Sequence, residues 1–220
     1  GNAGTVTVEA TSQVVFSGLN ADGFPSAVLT DVGETGRGNA GNVRITANMV
    51  EVRDGAVFYS ITSGEGNAGT VTVEATDRAV FSNSSVYTNV DETGRGNAGS
   101  VRVVANRLEV RDGAVLSSTN ASSVTPNEFT AGDVLVQAEW VRLDEGAEIS
   151  ADTLGQGGNV GVDAFTTILR RGSRIRTDAE GDFPGGNISL NTDLLVAFDN
   201  SDITANATNS FGGRVEIETQ

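Results

Sequence analysis

Four stretches decide the fold: GNAGTVTVEA at Gly1–Ala10, GNAGNVRITA at Gly38–Ala47, GNAGTVTVEA at Gly66–Ala75 and GNAGSVRVVA at Gly96–Ala105. Each opens on a glycine-bounded corner and then alternates apolar and polar residues. A period of two marks a strand with one buried face. The pattern continues in weaker form at TAGD (130–133), QGGN (156–159), PGGN (184–187) and FGGR (211–214). The last glycine of GNAG and its counterparts form a column: Gly4, Gly41, Gly69, Gly99, Gly132, Gly158, Gly186 and Gly213. The spacings are 37, 28, 30, 33, 26, 28 and 27 residues, a basic period near 27 with the excess in loops.

Working outward from that column, the inward pairs run from Val6/Val8 through Val43/Ile45 and Val71/Val73 to Val215/Ile217. A small residue closes each strand, for example Ala47, Ala75, Ala105 and Ala138. A second strand follows, as in Val50/Val52, Leu108/Val110 and Val141/Leu143, then a turn of the form DGA, EGA, RGS or DNS. A third strand carries Phe58, Val86, Leu116, Ile149, Ile175 and Ile203. The expected fold is an all-β, right-handed parallel β-helix of about seven to eight three-strand coils, forming one domain over residues 1–220. The coils start near residues 1, 38, 66, 96, 131, 157, 185 and 212. Insertions fall at 17–26, 30–37, 88–95 and 120–130.

Energetics require stacking. One coil buries roughly six aliphatic side chains at about 1.5–3 kcal/mol each. Ordering its ~27 residues costs about 1–2 kcal/mol per residue in backbone entropy alone. A coil therefore gains stability only from its neighbours. At about 4.8 Å per step the stack predicts a rod ~35 Å long. Gly supplies positive φ at the corners, and Asn2, Asn39, Asn67 and Asn97 share a column expected to stack as an amide ladder.

Charges test the register. Aligning Leu116, Ile149, Ile175 and Ile203 sets Arg111 over Asp144 over Arg170, Glu145 over Arg171 over Asp199, and Glu148 over Arg174 over Asp202. Opposite charges at neighbouring rungs stabilise the stack modestly, and a one-residue slip breaks all three columns. The arginine cluster at 170–176 is thus expected to pair from rung to rung; the competing reading is a sulfate- or carboxylate-binding patch.

Composition narrows the function. The chain has 29 acidic against 14 basic residues, a net charge of −15. Every base is Arg, and the net negative charge disfavours binding to nucleic acid or anionic lipid. Cys is absent, so disulfides and thiolate zinc sites are excluded. No apolar run approaches a membrane span, so no membrane insertion is expected. Without His, Cys or Lys the usual nucleophile–base pairs are unavailable, and no catalytic residue is assigned. Carboxylate pairs remain possible, as in glycosidases, with Asp144/Glu145/Glu148 and Asp178/Glu180/Asp182 the densest acids. The loops at 31–34, 91–92 and 178–182 offer hard oxygen donors, making Asp178, Glu180 and Asp182 calcium candidates. They lack both the EF-hand spacing and the glycine-rich nonapeptide calcium repeat. The outward threonines Thr5/Thr7 and Thr70/Thr72 are interrupted by Asn42/Arg44, which argues against an ice-binding array. Trp140, Phe16, Phe81 and Phe198 read as core or corner fillers rather than a sugar platform.

The recurrent GNAG-V-x-V/I, the VRDGA turns at Val52–Ala56 and Val110–Ala114, and GGNISLNTDLLVAFDNSDITANA at Gly185–Ala207 resemble filamentous-haemagglutinin-like exoproteins. The resemblance covers essentially the whole chain and is greatest to the large cyanobacterial surface proteins of this type. It implies two-partner secretion through an outer-membrane pore partner, a cell-surface or secreted location, and a structural or adhesive role without catalysis. Alternatives are a polysaccharide-active β-helix enzyme domain and the stalk of a contact-dependent toxin. The chain starts and stops in mid-pattern, as expected of a segment of a longer repeat protein.

Overall fold

The computed structural model describes residues 1–124 and 129–219. The strands are β1 (Val6–Glu9), β2 (Gln13–Ser17), β3 (Ala27–Val32), β4 (Val43–Arg53), β5 (Val57–Thr62), β6 (Val71–Ser82), β7 (Ser85–Val90) and β8 (Val101–Arg111). They continue as β9 (Val115–Asn120), β10 (Val134–Leu143), β11 (Glu148–Thr153), β12 (Val160–Leu169), β13 (Arg174–Ala179), β14 (Ile188–Ala197), β15 (Asp202–Ala207) and β16 (Val215–Glu218). All named strand pairs are parallel, and the chain is an all-β parallel β-helix, a β-solenoid.

Two sheets form the stack. The first runs β1-β4-β6-β8-β10-β12-β14-β16, with β2 also paired to β4; the second runs β15-β13-β11-β9-β7-β5-β3. The second sheet has seven strands and hence six stacking steps. The expected three strands per coil appear only in coil one. Elsewhere the first and second strands merge into one long strand, 10 to 12 residues from β4 to β14. The backbone ladder carries across the small closing residue, and in β6 a local irregularity between Ala75 and Arg78 absorbs one extra residue.

Inward residues match the expected columns. Val28, Phe58, Val86, Leu116, Ile149, Ile175 and Ile203 are successive Cα partners in the second sheet. The strand pairs keep one register over six steps, so these side chains stack in a single row. Phe58 is fully buried and meets Phe16 edge-on, ring centroids 5.0 Å apart. The expected loops at 30–37 and 88–95 start too early: Thr30–Val32 and Thr88–Val90 belong to β3 and β7. Their inward Thr30 and Thr88 satisfy the alternation, with hydroxyls donating to Gly41 and Gly99 carbonyls at 2.6 Å. The 17–26 insertion closes on itself through an antiparallel Leu19–Pro25 bridge. Residues 125–128 of the 120–130 loop lie outside the described residues.

The glycine column is explained by close approach rather than by positive φ. A methyl group at Gly41, Gly69, Gly99, Gly132, Gly158, Gly186 or Gly213 would fall 1.7–2.1 Å from the carbonyl oxygen of the preceding glycine in the column. No Cβ fits there. Positive φ instead marks the turn between the sheets. Asp54, Asn83, Asp112, Glu145, Arg171 and Asp199 all adopt φ of 44–57° at equivalent positions.

The asparagine column forms a ladder of a different kind. Each Oδ1 accepts the backbone N–H of the next rung: Asn39 to Asn2, Asn67 to Asn39 and Asn97 to Asn67, at 2.8–2.9 Å. A second such ladder, not anticipated, follows the glycine column, where Asn159 accepts from the Asn187 N–H and Asn187 from the Arg214 N–H.

Candidate functional site

The carboxylates and arginines gather where the second sheet's outward residues change from mostly uncharged to charged. Strand alternation points Glu148, Asp152, Arg174, Arg176, Asp178 and Asp202 out of β11, β13 and β15. The expected Glu148–Arg174–Asp202 column exists as Cα partners. Its side chains pair otherwise. Arg176, not Arg174, carries the network, reaching Glu148 and Asp152 at 2.9 Å and also Asp178 on its own strand. Arg176 sits opposite Ser150, so carboxylates two residues to either side of Ser150 flank the guanidinium diagonally.

This network borders a cleft of about 290 Å³ lined by Asp152, Arg176, Asp178, Glu180, Glu92 and Asn120, among others. Burial raises the Asp152 carboxyl to about 6, against the opposing pull of Arg176 and the Asp178 N–H. Sequence reasoning missed Asp152, because nothing in its neighbours Ala151 and Thr153 signals a charged site.

The neighbouring corner holds a second cluster. Asp144, 2% exposed, accepts from Arg142, Arg170 and Arg171, the last two at 2.7 and 2.8 Å. Glu145 pairs with Arg171 at 2.8 Å. Two of the expected rung-to-rung pairs thus form, Asp144 with Arg170 and Glu145 with Arg171. Arg111 instead bonds its neighbour Asp112 at 2.7 Å, since the left-handed turn at Asp112 brings that carboxylate beside it. Asp112 is held below the usual carboxylate range by hydrogen bonding to Glu145 and Ser82, and the same contact with Asp112 raises Glu145.

The calcium candidates are placed apart in role. Asp178 is tied to Arg176 and accepts from Asn206, while Glu180 and Asp182 are exposed beyond the end of β13. The loop acids Glu34, Asp91 and Glu92 border one hollow of about 400 Å³, where Asp91 accepts from Ser63 at 2.6 Å. Among the described residues, no group of three or more acidic side chains is arranged to hold a metal ion. No helix among them is long and apolar enough to cross a membrane.

The aromatic residues divide. Phe81 is fully buried and Phe16 half-buried, as corner fillers should be, whereas Phe198 is exposed. Trp140 is half-buried on the outer face of the first sheet, beside Phe165, which is 64% exposed. The column inside the corner is instead Phe16, Val52, Phe81, Val110, Leu143 and Leu169.

Fold and surface together define a parallel β-solenoid repeat protein with a patterned exterior. No family model matches the chain, and neither a curated protein nor a solved structure matches it.

Proposed function

We propose that the chain is a structural segment of a secreted or cell-surface exoprotein, a stiff spacer with adhesive surfaces and no catalysis of its own. The observation that carries this reading is the uninterrupted parallel ladder from β1 to β16, with the glycine column at its tightest point. Such a ladder transmits load along its axis and leaves its outward residues free to vary. The resemblance of its repeats to filamentous-haemagglutinin-like exoproteins supports export through an outer-membrane pore partner. Peptides shaved from intact source cells and identified by mass spectrometry test it. The expected result is recovery in a surface-exposed chain several times longer than 22.6 kDa. Recovery only from the cell interior, as a free 220-residue protein, would contradict it.

A second reading has one observation in its favour, the Asp152 carboxyl in the cleft beside Asp178 and Glu180. A carboxyl that titrates near 6 with further carboxylates beside it has the makings of a general acid in glycoside cleavage. Glu148, Asp152 and Asp178 are all engaged by Arg176, which ties them up as structural partners and makes this the weaker reading. Turnover of a polysaccharide that is lost in Asp152→Asn would favour it over the scaffold.

A further inference from the structure

We propose that the outer face of the first sheet across coils four to six is a docking groove for a short stretch of neutral polysaccharide. Three hollows of about 250, 320 and 340 Å³ adjoin there. The first two share Gln137 and Asp163, and the last two share Glu139 and Phe165, so they form one groove along the outward side of β10. From Leu135 to Trp140 it spans roughly 17 Å at the rise of an extended strand.

One residue opens the first hollow, at the Leu135 end of the groove. Its column in the first sheet reads Thr7, Arg44, Thr72, Arg102, Leu135, Gly161, Ser189 and Glu216, and Gly161 alone lacks a side chain. Its backbone needs no glycine, having no positive φ, and a Cβ there would meet only the flexible Leu135 Cδ2, at 3.1 Å. Glycine weakens a strand interior, and where neither turn nor packing requires it, it marks close approach by a ligand.

The banks identify the occupant. On coil four, Arg102, Asn106 and Arg107 offer donors; on coil six, Asp163 offers an acceptor, with Gln137 and Glu139 between them. A polyanion would meet Asp163 and Glu139, and a polycation would meet the two arginines. Hydroxyl groups, which donate and accept at once, suit both banks. Trp140 and Phe165 at the far end present aromatic surface on which the C–H face of a sugar ring stacks. A peptide cannot add as a strand, because β8, β10 and β12 are each paired on both edges.

The assignment rests on the adhesive reading for where the glycan is met, but its test needs only the purified chain. Trp140 is the single tryptophan and therefore a built-in reporter. Hexasaccharides of β-1,4-glucose, β-1,3-glucose, α-1,6-glucose and β-1,4-mannose would be titrated with tryptophan fluorescence and calorimetry in parallel. At least one is expected to give saturable heat together with a shift in Trp140 emission. Gly161→Gln, which fills the groove and strengthens the strand, is expected to weaken that binding at least tenfold, as is Phe165→Ser. Tyr59→Ser, on the other sheet, is expected to leave it unchanged. The proposal is overturned if no hexasaccharide gives heat, if heat appears without a Trp140 shift, or if Gly161→Gln binds as tightly as the parent. Preferential binding of a heparin fragment or of pentalysine would equally overturn it. None of these results bears on cellular location, so the scaffold reading stands or falls separately.

Discussion

The outward face of the second sheet is two surfaces on one backbone. In coils one to four its central positions are Leu29, Tyr59, Tyr87 and Ser117, flanked by Val57, Ile61 and Val115. Tyr59 and Tyr87 stack with centroids 5.4 Å apart and planes 18° from parallel. In coils five to seven the equivalent positions are Ser150, Arg176 and Thr204, flanked by Glu148, Asp152, Asp178 and Asp202. Strand register is continuous across the change. The comparison teaches that register is set inside, by the aliphatic columns and the glycine approach, while the outside chooses between aromatic stacking and ion pairing. The two outer solutions differ in how they answer to salt and pH.

The largest effect is expected where both surfaces share one constraint. Gly99→Ala and Gly158→Ala place a methyl group about 2 Å from a carbonyl oxygen, one in each region. Both should lose about 3–5 kcal/mol by chemical denaturation, because the rungs must separate. A large loss in only one region would break the claim of a common interior lock. Next comes Arg176→Met, which leaves Glu148, Asp152 and Asp178 facing one another. A loss of about 1–2 kcal/mol at pH 7, shrinking in high salt, is the expected outcome.

Asp152→Asn should move the other way. The folded carboxyl titrates near 6, above its ordinary 3.8, so the folded chain holds this proton more tightly than the unfolded one. Stability therefore falls as pH rises from about 4 to 6, and the charged form is the costly one above that window. The variant should abolish this fall and gain about 1 kcal/mol at pH 7, given a cleft open to solvent. A pH-independent difference between parent and variant would remove burial as the cause. Smallest is Tyr87→Ala, expected to cost about 0.5–1 kcal/mol with no dependence on salt, since stacking carries no net charge.

Much of this architecture is legible in the residues. The GNAG corners, the Val/Ile pairs and the Leu116–Ile149–Ile175–Ile203 row fix coil boundaries and rung alignment, because burial enforces period two through the inner coils, whereas Val215 and Ile217 of the last strand, expected to point inward, are exposed where no further rung covers them. Cys-free, His-free composition likewise removes whole classes of chemistry. Three things stay hidden for physical reasons. The merging of first and second strands depends on backbone pairing across Ala47 and its counterparts, which no side-chain pattern reports. The choice of Arg176 over Arg174 depends on diagonal reach between rungs, whereas a column alignment sees only direct opposites. Trp140 looks like core by composition, but the second strand begins on an outward pair, Glu139 and Trp140, and that shift puts the indole on the surface beside Phe165.

The most direct test of the in-register parallel stack exploits the absence of native cysteine. Asn89 and Thr119 are Cα partners on adjacent rungs, and Asn89 and Asp152 lie two rungs apart in the same column. Adjacent rungs fall within disulfide reach and rungs two steps apart do not. The double variant Asn89→Cys/Thr119→Cys should oxidise to a single intramolecular cross-link with the fold retained, while Asn89→Cys/Asp152→Cys should remain reduced. Cross-linking of the two-rung pair, or failure of the adjacent pair in folded protein, would contradict the stack on which everything above depends.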